Sequence, residues 1–147
     1  MLQKDTPDHH DGELVIRLYE LRREPVMRES RAAIISKYWP ASVEEATEVL
    51  KPDHPMNASY RQVSSYWEMV YGMAHAGIVH ADYLIEHNTE GLFVFARVQP
   101  FLEAIRGLGF PRAFRHAEWA GTQTETGRRL VEEFRGRIAR RQAARAS

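Results

Sequence analysis

The clearest helical pattern in the chain is NASYRQVSSYWEMVYGMAHAG, residues 57–77. Apolar side chains recur in it at three- and four-residue spacing and nearly surround the predicted helix. They are Tyr60, Val63, Tyr66, Trp67, Met69, Val70, Met73 and Ala74. Asn57 is predicted to cap the start of this helix, and Gly77 is predicted to end it, because glycine tolerates a left-handed backbone. We therefore expect residues 58–76 to form the central and most buried helix.

Prolines, glycines and capping residues divide the rest of the chain into further helices. Asp11 is predicted to cap the first, and Pro25 must break it because proline lacks an N–H and clashes with the preceding turn. Ser42 followed by Glu45 is a capping-box pattern that opens another helix. The predicted helices run from about residue 12 to Pro25, on to about 38, from 43 to about 50, over 80–87, from 90 to about 106 with a kink near Pro100, over 111–119 and over 124–141.

The segment Leu92–Ala96 is LFVFA, which fits either a buried strand or a buried helix by composition. No other segment offers a partner strand, and an unpaired strand would leave its backbone groups unsatisfied. We therefore predict a helix there. The fold class that follows is all-α, an up-and-down helical bundle of about four longer helices with short ancillary helices.

Length and composition limit the domain organisation and the chemistry. The chain has 147 residues and no cysteine, which excludes disulfides, thiolate nucleophiles and cysteine-bound zinc. We expect a flexible N-terminus over residues 1–11, one helical domain over 12–141 and a frayed tail over 142–147. No apolar run approaches the length of a membrane span and no signal peptide is visible, so we expect a cytoplasmic protein that does not enter a membrane.

Charge is distributed unevenly between the two parts of the chain. Residues 1–90 carry 9 Lys and Arg against 15 Asp and Glu, whereas residues 91–147 carry 11 against 5. The two parts can attract each other within one bundle or between two chains, which makes a homodimer a candidate assembly. The net charge of zero disfavours nucleic acid as a general partner.

The chain resembles an uncharacterised bacterial family of helical domains of unknown function, found alone or behind a membrane helix. Three groups of residues carry the resemblance: LYELR at 18–22 with Pro25, MRE at 27–29 and Arg31; YWE at 66–68 with Gly77 and Asp82; and PFL at 100–102 with Arg106. They span about residues 14–106. The resemblance implies an all-α fold and brings no catalytic residues.

One candidate site is a polar stripe on the predicted central helix. Arg61, Glu68 and His75 are seven residues apart and share a face. A buried Glu68 would need a partner, and an arginine from another helix is the expected one: Arg28, Arg31 or Arg97. The stripe is either a polar pocket, with Glu68 and His75 as acid–base or ligand contacts, or a structural ion pair beside a solvated edge.

Histidines suggest a second candidate, a metal site built from His75, His80 and Asp82. Neither His75 with His80 nor His80 with Asp82 has the spacing of metal ligands on one helix face. The cluster Asp8-His9-His10-Asp11 has the wrong order for the helical metal-dependent phosphohydrolases. We interpret these groups as surface or helix-end residues.

A third candidate is a basic face on the last helix, formed by Arg128, Arg135, Arg140 and Arg141. It could contact nucleic acid, an acidic partner or the acidic first part of the chain. The sequence therefore favours a binding, regulatory or scaffolding module that acts through protein interaction and needs no cofactor. The alternatives are a metal-dependent hydrolase with ligands from several helices and a weak nucleic-acid binder.

Overall fold

The computed structural model describes residues 4–146 and, over that range, consists of helices and loops without a strand. Its helices are α1 (His9–Arg22), α2 (Pro25–Lys37), α3 (Val43–Glu48), α4 (Asn57–His75), α5 (Ala81–Glu86), α6 (Glu90–Val98), α7 (Leu102–Gly107), α8 (Arg115–Gln123) and α9 (Glu125–Ala146), with a 3-10 turn, Gln99–Phe101, between α6 and α7. Four of them, α1, α2, α4 and α9, contain 14, 13, 19 and 22 residues. The all-α bundle of about four longer helices is confirmed, and Leu92–Ala96 is helical as predicted. Every helix between residues 4 and 146 is too short or too polar to span a bilayer.

One hydrophobic core joins the helices. α4 packs against α2, α5 and α8, while α6 packs against α8 and α9. A Cβ on Gly91 would lie 2.6 Å from side-chain atoms of both Trp67 and Tyr71, so only glycine lets the start of α6 approach α4 this closely. The core is therefore shared among these helices, and within it the start of α6 lies against side chains of α4.

The most buried helix is α6 and not α4, so the prediction for residues 58–76 is wrong in this respect. Seven of the nine residues of α6 are buried and none is exposed. α4 exposes several of its residues, among them Arg61 and Met69. A helix of 19 residues is longer than the helices that pack on it, so part of its surface faces solvent although it carries much of the core.

Local signals set several helix ends correctly. Pro25 is the first residue of α2, where its missing N–H costs no helical hydrogen bond. Gly77 has a φ of 76° directly after α4. The N–H groups of Gly77 and Ile78 donate to the carbonyls of Ala74 and Met73, each at 3.0 Å, which is the Schellman arrangement.

Other ends differ from the prediction because contacts elsewhere determine them. Asn57 does not cap α4, since its Nδ2 donates to the carbonyl of Val49 at 3.0 Å and Met56 holds the cap position. α1 begins at His9, with Asp8 as its cap and Asp11 buried in its first turn. Asp11 is therefore not the cap that the sequence suggested.

The helices near the C-terminus are also displaced from their predicted positions. Residues 111–114 form turns and α8 covers 115–123, where a helix over 111–119 was expected. α9 continues to Ala146, beyond the expected end at Arg141. Of the predicted flexible segments, residues 1–3 and 147 lie outside the described residues.

Candidate functional site: a groove between α4 and the α7–α8 loop

Glu68 holds the N-terminus of α8. Its Oε1 accepts a hydrogen bond from the backbone N–H of His116 at 2.8 Å, and its Oε2 accepts one from Ala117 at 2.9 Å. The first N–H groups of a helix have no partner within the helix and carry partial positive charge, so a carboxylate is the group that satisfies them best. The prediction that an arginine pairs with Glu68 is wrong, because a helix end supplies the positive charge.

The residue at the cap position of α8 explains why a side chain from another helix is needed. Phe114 occupies that position with a φ of 58°, in the left-handed region, and its side chain has no oxygen that could accept a hydrogen bond. A non-glycine residue adopts this conformation at a cost, which the surrounding contacts must offset. Phe114 is only 5% exposed and packs edge-on against Tyr60 of α4. Packing of Phe114 and the carboxylate of Glu68 thus fix the start of α8 together.

The arginines proposed as partners of Glu68 have other roles. Arg31 holds both carboxylate oxygens of Glu90, with its Nε at 2.7 Å and its Nη2 at 3.1 Å. Arg97 donates from Nη1 to the carbonyls of Ile34, Ile35 and Tyr38 at 3.0–3.2 Å, so it satisfies the last turn of α2. Arg28 lies exposed on α2.

A groove of about 510 Å³ opens between α4 and the loop that joins α7 to α8. Its lining residues are Leu50, Tyr60, Arg61, Ser64, Ser65, Glu68, Gly109, Phe110, Pro111, Arg112, Ala113 and Phe114. Phe110 is 44% exposed at the groove, and Leu108 beside it in the loop is 60% exposed. The groove combines an apolar wall with two exposed guanidinium groups, those of Arg61 and Arg112.

His75 lies outside this groove, next to the first turns of α8. Its Nδ1 is 3.1 Å from Nδ1 of His116, so one ring donates the proton and the other accepts it. The ring of His75 also stacks on Trp119, with centroids 4.6 Å apart and 17° between the planes. Burial, with the nearby charges of His116 and Arg115, lowers the pKa of His75. The structure therefore brings Arg61 and Glu68 to one groove and places His75 in a histidine pair.

A family model matches the part of the chain that forms the groove. The sequence model of a domain of unknown function, DUF4760, matches residues 7–123. The chain belongs to the DUF4760 family. No curated protein and no solved structure matches the chain. The groove of this DUF4760 chain lies wholly inside the matched region, whereas α9 follows it.

The histidines proposed as metal ligands have structural contacts in this DUF4760 chain. His80 caps α5, because its Nδ1 accepts a hydrogen bond from the N–H of Tyr83 at 3.1 Å. Within residues 4–146 no group of three or more His, Asp or Glu side chains is placed to hold a metal ion. The set His75, His80 and Asp82 is not such a group.

The Asp-His-His-Asp cluster is a helix start. Asp8 and Asp11 form a capping box, with hydrogen bonds of 3.1 and 2.9 Å between side chain and backbone. The carboxylate of Asp11 also accepts hydrogen bonds from Nζ of Lys4 at 2.8 Å and from the N–H of His80 at 3.1 Å. Burial alone would raise the pKa of Asp11, but these hydrogen bonds and the charge of Lys4 lower it to about 2.

The basic face of α9 is partly engaged inside the chain. Arg128 donates to the carbonyl of Thr122 at 3.3 Å, Arg135 donates to Oε1 of Gln99 at 2.7 Å, and the guanidinium of Arg141 lies 4.2 Å from the ring centre of Trp39. Arg140 is exposed. Farther along α9, Arg145 pairs with Glu45 at 2.8 Å, so the opposite charges of the two parts of this DUF4760 chain meet within one molecule.

Sequence reasoning did not identify the loop that forms one wall of the groove. The signal was present in GLGFPR, residues 107–112, where glycine and proline surround two large apolar residues. Apolar residues in a segment of turn-forming residues have no helix face on which to bury themselves. That combination indicates exposed apolar surface, which the reading of residues 111–119 as one helix concealed.

Proposed function

We propose that this DUF4760 domain is a binding module that takes a segment of a partner protein in the groove between α4 and the α7–α8 loop. The observation that carries the proposal is the 44% exposed side chain of Phe110 beside the exposed Arg61 and Arg112. Exposed aromatic and arginine side chains at a concave surface are the residue types that dominate protein recognition. The volume of about 510 Å³ suits one or two side chains of a partner.

The charges at the groove define the segment that fits it. Among the described residues that line the groove, Glu68 is the only acidic one, and its two oxygens accept hydrogen bonds from the N-terminus of α8. The guanidinium groups of Arg61 and Arg112 therefore set the sign of the groove. We propose a partner segment with a bulky apolar side chain next to a carboxylate: the apolar group contacts Phe110 and the carboxylate contacts the arginines.

Selection from a displayed library of random short peptides tests this proposal. Peptides that bind the full chain should be enriched in an aromatic or aliphatic residue adjacent to Asp or Glu. Their affinity, measured by fluorescence anisotropy, should fall about tenfold or more in Phe110→Ser and in Arg61→Glu, as for truncation of an interface anchor. Leu108→Ser is the matched control, because Leu108 is in the same loop and is exposed but does not line the groove.

Two results would contradict the proposal. One is a library that yields no peptide discriminating the wild-type chain from Phe110→Ser. The other is binding that Leu108→Ser weakens as much as Phe110→Ser does, because the peptides would then bind non-specifically to exposed apolar residues of the loop and not to the groove.

The other candidate functions have less support. A homodimer driven by opposite charge is weakened as a proposal because Arg145 and Glu45 already pair within the chain. Nucleic-acid binding through the basic face would have to draw on arginines such as Arg135, which already contacts Gln99. A metal-dependent hydrolase lacks a ligand group among residues 4–146. A cytoplasmic location stays part of the proposal, since a chain without cysteine suits a reducing compartment.

A further inference from the structure

A second cavity, of about 250 Å³, lies on another part of the molecule, among the α2–α3 connection, the end of α6 and the last turns of α9. Its wall is mostly apolar and includes Pro40, Ala41, Phe101 and Ile138. The two residues with polar side chains that line it are Arg97 and Gln142. We call it the Arg97 cavity.

Arg97 is 2% exposed, and its guanidinium has contacts on several sides. Its Nη1 donates to three carbonyls, those of Ile34, Ile35 and Tyr38. Aromatic rings pack against it, with the centre of Trp39 at 3.5 Å and the centre of Phe93 at 4.5 Å from Cζ. Such contacts with aromatic rings are favourable for a cation and restrict its motion.

The remaining edge of this guanidinium is buried and unpaired. Among residues 4–146, neither Nε nor Nη2 of Arg97 has a hydrogen-bond partner, and no carboxylate forms a salt bridge with it. Burial and the nearby charge of Arg141 lower the pKa of Arg97 to about 10. A buried donor without an acceptor is costly, and two on one cation are an unusual feature that calls for an explanation.

Arg31 in the same protein shows what fills such an edge. Its Nε and Nη2 hold the two oxygens of Glu90, at 2.7 and 3.1 Å. This is the planar two-point arrangement in which a guanidinium matches a carboxylate. The same two nitrogens of Arg97 belong to a cavity-lining residue and have no carboxylate.

We propose that the Arg97 cavity binds a small carboxylate with a short aliphatic tail. The carboxylate accepts hydrogen bonds from Nε and Nη2 of Arg97, and the tail contacts the apolar wall formed by residues such as Phe101 and Ile138. A phosphate fits less well, because one guanidinium edge offers too few donors for its charge and the described lining has no other polar side chain than that of Gln142.

Access to the cavity involves the end of α9. Gln142 of α9 lines it and donates from Nε2 to the carbonyl of Pro40 at 3.3 Å, which is long for an N–H···O hydrogen bond. Nε and Nη2 of Arg97 are sealed from solvent. A ligand therefore reaches Arg97 only after part of the cavity wall moves, and the proposal assigns that movement to the side chain of Gln142, whose hydrogen bond is long. Pro40 and Gln142 are 102 residues apart in the sequence, so the cavity exists only in the folded bundle.

Nuclear magnetic resonance on the full chain tests this proposal through the Nε–H signal of Arg97. Sodium butyrate is the probe, with sodium chloride and sodium phosphate at equal ionic strength as comparisons. Butyrate should shift the Nε–H signal of Arg97 saturably, with a dissociation constant on the order of 1 mM, as for a ligand of few atoms. Arg97→Lys keeps a charge but lacks the two-nitrogen edge, and should weaken binding about tenfold or more, measured on other signals of the cavity.

A second variant keeps the test decisive if Arg97→Lys does not fold. Ala41→Leu adds volume at an exposed position of the cavity wall without touching the hydrogen bonds of Arg97, and it should also abolish the shift. Arg17→Lys, at an exposed position of α1, a helix that gives no residue to the cavity lining, should leave it unchanged. A shift that does not saturate, that phosphate or chloride produces equally, or that Ala41→Leu leaves intact would overturn the proposal.

Discussion

Replacing Glu68 by alanine should destabilise the protein by detaching the start of α8. The substitution removes both acceptors of the N–H groups of His116 and Ala117 and adds no helix-propensity cost within α4. Loss of a capping side chain costs about 0.5–2 kcal/mol, and loss of a negative charge at a helix N-terminus costs about 0.3–1 kcal/mol more. Because Glu68 is half-buried and caps two groups, we expect a decrease of about 2 kcal/mol in the free energy of unfolding.

Glu68→Gln separates the hydrogen bonds from the charge. Glutamine retains one acceptor oxygen but no charge, so about half of the loss, near 1 kcal/mol, is expected. Urea unfolding followed by circular dichroism measures both variants. Glu20→Ala is the matched control, since Glu20 is an exposed carboxylate within α1, and it should change stability by less than about 0.5 kcal/mol.

Hydrogen exchange locates the effect. The amides of His116 and Ala117 should exchange faster in Glu68→Ala, while the amides of α2 should change only as far as global stability falls. If Glu68→Ala costs no more than Glu20→Ala, or if the two amides keep their protection, then Glu68 does not cap α8 and the account of the groove wall is wrong.

Three further outcomes are expected. Gly91→Ala should lower the free energy of unfolding by about 1–3 kcal/mol in urea, because the added methyl group would lie 2.6 Å from side-chain atoms of Trp67 and Tyr71. An unchanged urea midpoint would contradict the close approach of Gly91 in α6 to these side chains of α4. The pKa of Asp11 is lowered from 3.8 to about 2, so its contribution to stability is full above pH 3.8 and is lost as the pH falls toward 2. The difference in stability between wild type and Asp11→Asn should therefore shrink over that pH interval. A constant difference would show that Asp11 is not held as a carboxylate. Burial, with the nearby charges of His116 and Arg115, holds the pKa of His75 below its ordinary value of 6.5, so protonation of His75 destabilises the fold as the pH falls below 6.5. Nuclear magnetic resonance should find His75 titrating lower than in the unfolded chain. Titration at or above 6.5 would contradict the burial of the ring against α8.

Sequence patterns predicted the helix ends that depend only on residues near them in the sequence. Pro25 and Gly77 mark helix ends in the structure as they do in the sequence, because each acts on its own backbone. Asn57 has the same kind of local signal, yet its side chain bonds to Val49 instead. There a contact outside the helix replaced the local one, and the sequence offers no means of ranking the two.

The candidate site was predictable in part. The shared face of Arg61 and Glu68 follows from helical periodicity, and both residues line the groove. The partner of Glu68 did not follow, because it is a pair of backbone N–H groups 48 and 49 residues away and not a charged side chain. Backbone groups have no signature in a sequence, so a search for opposite charges proposed arginines.

The carboxylate that caps α8 is synthesised well before the helix that it caps. Translation proceeds from the N-terminus, so Glu68 is synthesised 48 residues before His116, whose backbone N–H donates to its carboxylate. Phe114 has a left-handed backbone and a side chain without an oxygen, so α8 lacks a local cap at its N-terminus. The start of α8 therefore depends on an acceptor that α4 supplies, and the wall of the groove is complete only when the two helices are in contact.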